Sequence, residues 1–288
     1  MSKTILITGA STGFGRDTAE TLTTAGHNVF ASMRDIKHKN KAHADALQAK
    51  GIHVVELDVT DTKSIETAIN TVLEKTGGID VLINNAGIAA AGVTEAFSDE
   101  QVTKLFDVNV IGLHRVTRAV LPTLRTQKDG LIINIGSILG RVTFPFFGLY
   151  GASKFAVEAI TDSLRYEVSQ FGVDVALIQP SAYPTQMYAS VTQPNDSTRL
   201  AEYGDVGKIP GAMFEHFTTM FSSDNSPNPH DIAVAVLKLI DTEKGKREAR
   251  TVVGASFGAD NLNEATSPVQ TGAVIGLGLG HLDSIVIN

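Results

Sequence analysis

Two groups of residues in this chain have types and spacings suited to chemistry. The first is the stretch "TGASTGFG", Thr8 to Gly15, with glycines at positions 9, 13 and 15. A turn built on glycine closes tightly and lets a phosphate approach its backbone. The amides around Ser11, Thr12, Gly13 and Phe14, and the positive end of a following helix, then face the anion. The second group is Tyr150 and Lys154 in "YGASK", preceded by Ser137. Four residues apart on a helix, the phenol and the ammonium share one face. Each group alone has a plain structural explanation, because tight turns use glycine and many helices pack Tyr and Lys. Other chemistries are excluded or unsupported. The chain has no cysteine, which rules out disulfides, zinc–thiolate sites and thiol nucleophiles. Its eight histidines show no compact ligand spacing.

The elements around these residues give them a common location. Ile5-Leu6-Ile7 reads as a strand buried on both faces. "RDTAETLTTAG" after Gly15 has helical spacing and stops at Gly26, and "HNVFASMR" supplies a second strand. The glycines therefore lie on the strand-to-helix turn of a βαβ unit, which favours dinucleotide binding. Further strands are expected in "IHVVELDVT", "IDVLINNAG", "GLIINIGS", "VDVALIQP" and "ARTVVG". Helices are expected at about 62–75, 99–124 and 150–170. This alternation predicts an α/β chain with one doubly wound parallel sheet of about seven strands, helices on both faces and a single domain over 1–288. In such a sheet ligands bind beyond the carboxyl ends of the strands. The glycine turn, Asn84–Gly87, Ser137 and Pro180–Thr185 all follow strand ends. The segment 183–227 breaks the rhythm and is read as an irregular insertion serving as a substrate lid, with a surface excursion as the alternative. The C-terminal "TGAVIGLGLGHLDSIVIN" is too rich in glycine to predict a helix and reads as a docking tail or interface piece.

Composition narrows the class. The 288 residues are 43% apolar and 19% charged, with a net charge of −7. That balance suits a globular protein and argues against nucleic acid or an anionic membrane as partner. The N-terminus runs directly into "KTILIT" without a charged and apolar leader, and no apolar stretch is long enough to span a bilayer. A cytoplasmic protein is the expectation.

"TGASTGFG", "NNAG", Ser137, "YGASK" and Asn109 on the preceding long helix, in this order, resemble the short-chain dehydrogenase/reductase family over about 3–185. The resemblance implies hydride transfer between a nicotinamide cofactor and a carbonyl or alcohol carbon. Tyr150 would give or take the proton, and Lys154 would lower its pKa and hold the nicotinamide ribose. Ser137 would hold the substrate oxygen, and Asn109 would anchor a relay water. An ordinary buried polar group is the alternative for Asn109. Asp58 and Val59 would hold the adenine, and Asn84, Ala86 and Gly87 would line the ribose wall. Pro180 and Thr185 match the family's next motif, although Ser181 stands where it has glycine.

The end of the second strand bears on the cofactor. Met33 stands where NAD-users of the family carry an acid, and Arg34 follows. A guanidinium can stack on adenine and pair with a 2′-phosphate. Lys37, His38, Lys39 and Lys41 add charge, or form a solvated loop. Asp35 is one residue late for the ribose. NADP(H) is expected, with NAD(H) as the alternative. Ile138, Leu139, Phe144, Phe146, Phe147, Tyr183, Met187 and Tyr188 suggest a hydrophobic ketone or aldehyde as small-molecule substrate. The phenylalanines at 144–147 could instead pack in a core or interface. Apolar stripes on the helices near Asn109 and Tyr150 fit a homodimer or homotetramer, or equally the chain's own sheet. A steroid- or retinol-type alcohol dehydrogenase and a silent cofactor-binding regulator are the other readings.

Overall fold

The fold is described from a computed structural model of the chain that covers residues 1–287. The strands are β1 (Thr4–Ile7), β2 (Asn28–Met33), β3 (His53–Glu56), β4 (Val81–Asn84), β5 (Gly130–Ile135), β6 (Val173–Pro180) and β7 (Arg250–Val253). They form one parallel sheet in the order β3-β2-β1-β4-β5-β6-β7. Strand order reverses between β1 and β4, and this switch point opens a crevice beyond the carboxyl ends of the strands.

The apolar runs of the strands follow from burial on both faces. Ile5, Ile7, Val81 and Ile83 pack toward one layer, formed by α1 (Gly13–Thr24), α2 (Lys41–Gln48) and α10 (His230–Asp241). Leu6, Leu82 and Ile132 pack toward the other, formed by α3 (Thr62–Thr76), α5 (Leu113–Gln127) and α6 (Gly148–Ser169). The helix ends have local causes. The Asp61 carboxylate accepts from the amides of Lys63 and Ser64 at the start of α3, and Gly77, at φ 75°, ends it. Ser98 and Gln101 form a capping box at α4 (Asp99–Phe106).

Four features depart from the sequence reading. The long helix expected over 99–124 is interrupted: α4 passes into a π-helical segment, Asp107–Gly112, and then α5. Asn109 lies inside that segment. The stretch 183–227 is not irregular, since it carries α7 (Gln186–Ala189), α8 (Ser197–Glu202) and α9 (Ile209–Phe221). Part of the basic run after Arg34 is helical, as α2. The C-terminal region forms α11 (Ala259–Gly276), which extends into the glycine-rich stretch. There the chain packs back: Gln170 donates to the carbonyls of His281 and Ser284, and Val286 donates to that of Ser169. Leu105, Leu113, Val116, Val157, Leu164 and Val168 from the two apolar stripes are buried within the chain. Among the described residues no helix is long and apolar enough to cross a membrane.

Candidate active site

The glycine turn is fastened to the end of β4. The Thr8 hydroxyl accepts from the amides of Asn85 (3.0 Å) and Ala86 (3.1 Å), and the Asn85 side chain donates to the carbonyls of Thr8 and Gly9. Gly9 and Gly13 have φ of +68° and +56°, which a side chain resists. A Cβ on Gly9 would lie 2.8 Å from the Ala86 Cα, so only glycine allows this approach. Helix α1 starts at Thr12 without a side-chain cap. Its first amides are free to face an anion, as a dinucleotide diphosphate requires.

A cavity of about 390 Å³ lies over this helix end, lined by Gly9, Ser11, Thr12, Gly13, Phe14, Arg34, Asp58, Val59, Ala86, Gly87 and Thr185. These expected cofactor residues come together. Gly15 and Asn84 do not join them. A Cβ on Gly15 would meet the Gly9 carbonyl at 2.6 Å, so this glycine serves packing. Asn84 turns into the core and donates to Thr117 and Asn134, both at 2.9 Å. Its neighbour Asn85 reaches the crevice instead, since successive side chains point to opposite sides of a strand. At the adenosine end Arg34 projects into solvent, with its guanidinium 4.0 Å from Asp58. Asp35 has φ 51° and its carboxylate accepts from the Lys39 amide, so it is folded back into its own turn. Lys39, Asn40 and His43 also line this end. Sequence reasoning placed no role on Asn40 or His43, which reach the crevice only because the basic run coils.

A second cavity, of about 290 Å³, adjoins the first, and Phe14, Asn85, Thr185 and Met187 line both. Ser137, Tyr150 and Lys154 converge on its floor, with Pro180 beside them. Ser137 follows β5 and caps a short turn by accepting from the Leu139 amide at 3.1 Å. Lys154 is 6% exposed and donates to the Ile135 carbonyl at 2.9 Å. Its ammonium lies 5.7 Å from the centre of the Tyr150 ring. Burial lowers the Lys154 pKa to about 8, which keeps it charged at neutral pH. Burial pushes the Tyr150 phenol well above its usual range. The charge of a Tyr188 phenolate would add to this, and the Ser137 hydroxyl opposes it. Lys154 is not among the groups that shift the phenol in this arrangement, where desolvation of the phenolate dominates. Tyr150 is therefore a neutral phenol, a proton donor.

Asn109 lies behind the floor. Its amide nitrogen donates to the Ile88 carbonyl (2.9 Å) and the Ser153 hydroxyl (3.1 Å), and its oxygen accepts from the Ile88 amide (2.9 Å). The Ser153 hydroxyl in turn donates to the Tyr150 carbonyl at 2.7 Å. Both amide hydrogens are thus engaged, and Asn109 ties the loop after β4 to α6. A relay water would therefore have to donate to an oxygen of Asn109. π-Helical bulges of this kind often occur at functional sites.

Ile138, Leu139, Phe144, Phe147, Tyr183, Met187 and Tyr188 all line the second cavity. Phe146 does not, as its backbone at φ 66° turns away and its carbonyl accepts from the Gly92 amide. Helix α9 adds Phe217 and Met220 to the wall, and neither was read from the sequence. The Tyr183 hydroxyl is engaged with Asp231 at 3.4 Å. Among the described residues no cluster of three or more potential ligands could hold a metal ion.

The order of these parts along the chain matches a known pattern, since residues 3–196 fit the short chain dehydrogenase family. The chain belongs to that family. It is 38% identical, over 63% of its length, to the 3-ketodihydrosphingosine reductase of Bacteroides thetaiotaomicron. The match spans 64% of that relative's own length. Over 97% of this chain and 99% of the other, the fold superposes on a short-chain dehydrogenase from Streptomyces avermitilis, with a TM-score of 0.77 and 30% identity. An alcohol dehydrogenase from Thermococcus sibiricus, solved with 5-hydroxy-NADP, is 26% identical, with a TM-score of 0.69 over 88% of this chain and 96% of that one. The family assignment makes this chain an oxidoreductase that uses a nicotinamide cofactor on a small molecule. The free amides of α1 and the close approach of Gly9 to Ala86 suit such a cofactor.

Proposed function

We propose that the protein is an NADPH-dependent carbonyl reductase for apolar ketones or aldehydes. One observation carries the reading: a neutral phenol, a hydroxyl and a buried ammonium meet in an apolar cavity beside a dinucleotide crevice that has an exposed guanidinium at one end. When bound, the nicotinamide supplies a hydride. The chain does the rest. The Ser137 and Tyr150 hydroxyls hold the carbonyl oxygen, and the Tyr150 hydroxyl transfers its proton to that oxygen as charge develops there. The Lys154 ammonium favours the phenolate left behind. A phenol that stays protonated at neutral pH suits reduction better than oxidation. The amides of α1 hold the diphosphate, and Thr185, which faces Gly13, closes over it. Helices α7 and α9 act as the lid, with Met187, Tyr188, Phe217 and Met220 excluding water from the reacting atoms.

Arg34 decides the cofactor. Asp35 is folded away from the ribose position that an acid occupies in NAD-users, while the exposed Arg34 side chain, paired with Asp58 only at 4.0 Å, can turn its fork to a 2′-phosphate. Steady-state rates with NADPH and NADH over a panel of ketones test this. The expected result is a clear preference for NADPH, with Arg34→Ala raising its KM roughly tenfold or more and leaving NADH nearly unaffected. Turnover of NADH at least as efficient as that of NADPH would overturn the assignment. Ile111, Phe155 and Phe171 remain exposed along the π segment and α6, which supports pairing of two copies through these helices.

A further inference from the structure

Tyr188 has no place in the proton chemistry, and its surroundings are unusual for a tyrosine. It stands on the short helix α7 against aromatic residues of α9, with ring centres 5.5 Å from Phe217 and 5.0 Å from Phe221. Phe217 in turn meets Phe147 across the cavity at 6.5 Å. The ring is thus fixed by edge and tilted contacts, and its hydroxyl makes no hydrogen bond with any described residue. That oxygen is absent from the fully enclosed polar atoms that lack a partner, so it borders the open cavity. Of the other polar groups in the wall, Asn85 is engaged with the glycine turn and Tyr183 with Asp231, while Ser181, Thr185 and Asn225 also line it. A phenol fixed in an apolar wall at the edge of the open cavity keeps access to water, and a ligand that displaces that water without offering an acceptor leaves the donor unpaired. Burial pushes its pKa up to about 12, so it is a donor at any ordinary pH. The cavity wall holds no carboxylate, arginine or histidine, and its one cation, Lys154, is bound to the Ile135 carbonyl. A charged substituent on the substrate would therefore enter without a counter-ion.

We propose that Tyr188 is a specificity-determining residue whose hydroxyl donates to a second oxygen of the substrate, so that the substrate class is an uncharged, largely apolar ketone bearing a further hydroxyl or carbonyl group. This rests on the carbonyl-reductase reading above. The aromatic wall of Phe147 and Phe217 selects the apolar body, and the Tyr188 phenol selects the second oxygen. A site with such a donor disfavours the analogue that lacks the acceptor, because the donor is then left unpaired.

The test compares a neutral cyclic diketone with the monoketone of the same carbon skeleton and with a keto acid of similar size. Both kcat/KM with NADPH and binding to the NADP⁺-loaded protein by calorimetry are measured, for the wild type and Tyr188→Phe. The wild type is expected to favour the diketone over the monoketone roughly tenfold in both measurements, and to bind the keto acid least. Tyr188→Phe should bring the diketone-to-monoketone ratio close to one, mainly through KM, with an unchanged melting temperature. A ratio equal in wild type and variant, or tightest binding of the keto acid, overturns the proposal. Calorimetry decides the matter even without turnover, whereas absence of turnover with any ketone counts against the reductase reading instead.

Discussion

At the residue scale, the site depends on two groups whose burial moves their pKa values in opposite directions. Tyr150 is driven up and Lys154 down, because each charged form loses water. The lysine has a consequence for stability. Its folded pKa of about 8 lies below the ordinary lysine value of 10.5, so from pH 8 to 10.5 the unfolded chain binds more protons and stability rises with pH. Below pH 8 the buried charge costs about 3 kcal/mol. Denaturant unfolding of the cofactor-free protein should show this rise, and Lys154→Met should remove it while also abolishing turnover. A wild-type curve parallel to that of the variant would contradict this account of Lys154. The spacing of Tyr150 and Lys154 put them on one helix face, but their role was legible only with the glycine turn, "NNAG", Asn109 and Ser137 in order. The dominance of desolvation was not, because burial depends on the Phe147 and Leu139 walls that only folding assembles.

At the element scale, the interrupted helix around Asn109 sets the floor of the site. One side chain satisfies both backbone groups of Ile88 and holds Ser153, so the loop after β4 and helix α6 keep a fixed spacing. Asn109→Leu would leave the Ile88 amide and carbonyl without these partners, at a cost of about 2–4 kcal/mol. The expected outcome is a lower denaturation midpoint and a fall in kcat larger than any change in NADPH affinity. Unchanged stability would show that the π segment is held by other contacts. The sequence carried Asn109 as a polar residue on a helix, but a π bulge has no sequence signature comparable to a cap or a glycine turn. The helices within 183–227 also went unread. Helix α9 has no fully buried residue; Met213, Phe214, Phe217, Met220 and Phe221 share one face but are only partly covered, beside the cavity. Asn84 shows the limit on the strands: "NNAG" locates the strand end, but which asparagine faces the crevice depends on a register that only the sheet fixes.

At the scale of the whole molecule, a protein with net charge −7 keeps its anion-binding groups where strand order reverses. The parallel sheet was readable because strands buried on both faces are continuously apolar, as in Ile5-Leu6-Ile7 and Leu131-Ile132-Ile133. Topology then brings residues far apart in sequence to one rim. Gly13 and Thr185 meet there, as do Phe14 and Tyr183, whose rings are 5.6 Å apart. The C-terminal helix is tied to the same frame. Arg141 joins Asn263, Asn263 joins Gln179, and Gln179 joins Glu158, one turn beyond Lys154. No periodicity in the last thirty residues announced this, since α11 is held by polar contacts more than by an apolar stripe.

The central claim is that the chain moves a hydride from NADPH to a ketone while Tyr150 supplies the proton. The most direct measurement follows deuterium from 4-deuterated NADPH, one diastereomer at a time, into the alcohol formed from an apolar ketone, with wild type and Tyr150→Phe. The account predicts label on the new carbinol carbon from one of the two diastereomers, and at least a thousandfold slower transfer in the variant despite normal NADPH binding. Alcohol without label from either diastereomer, or an unimpaired Tyr150→Phe, would contradict it.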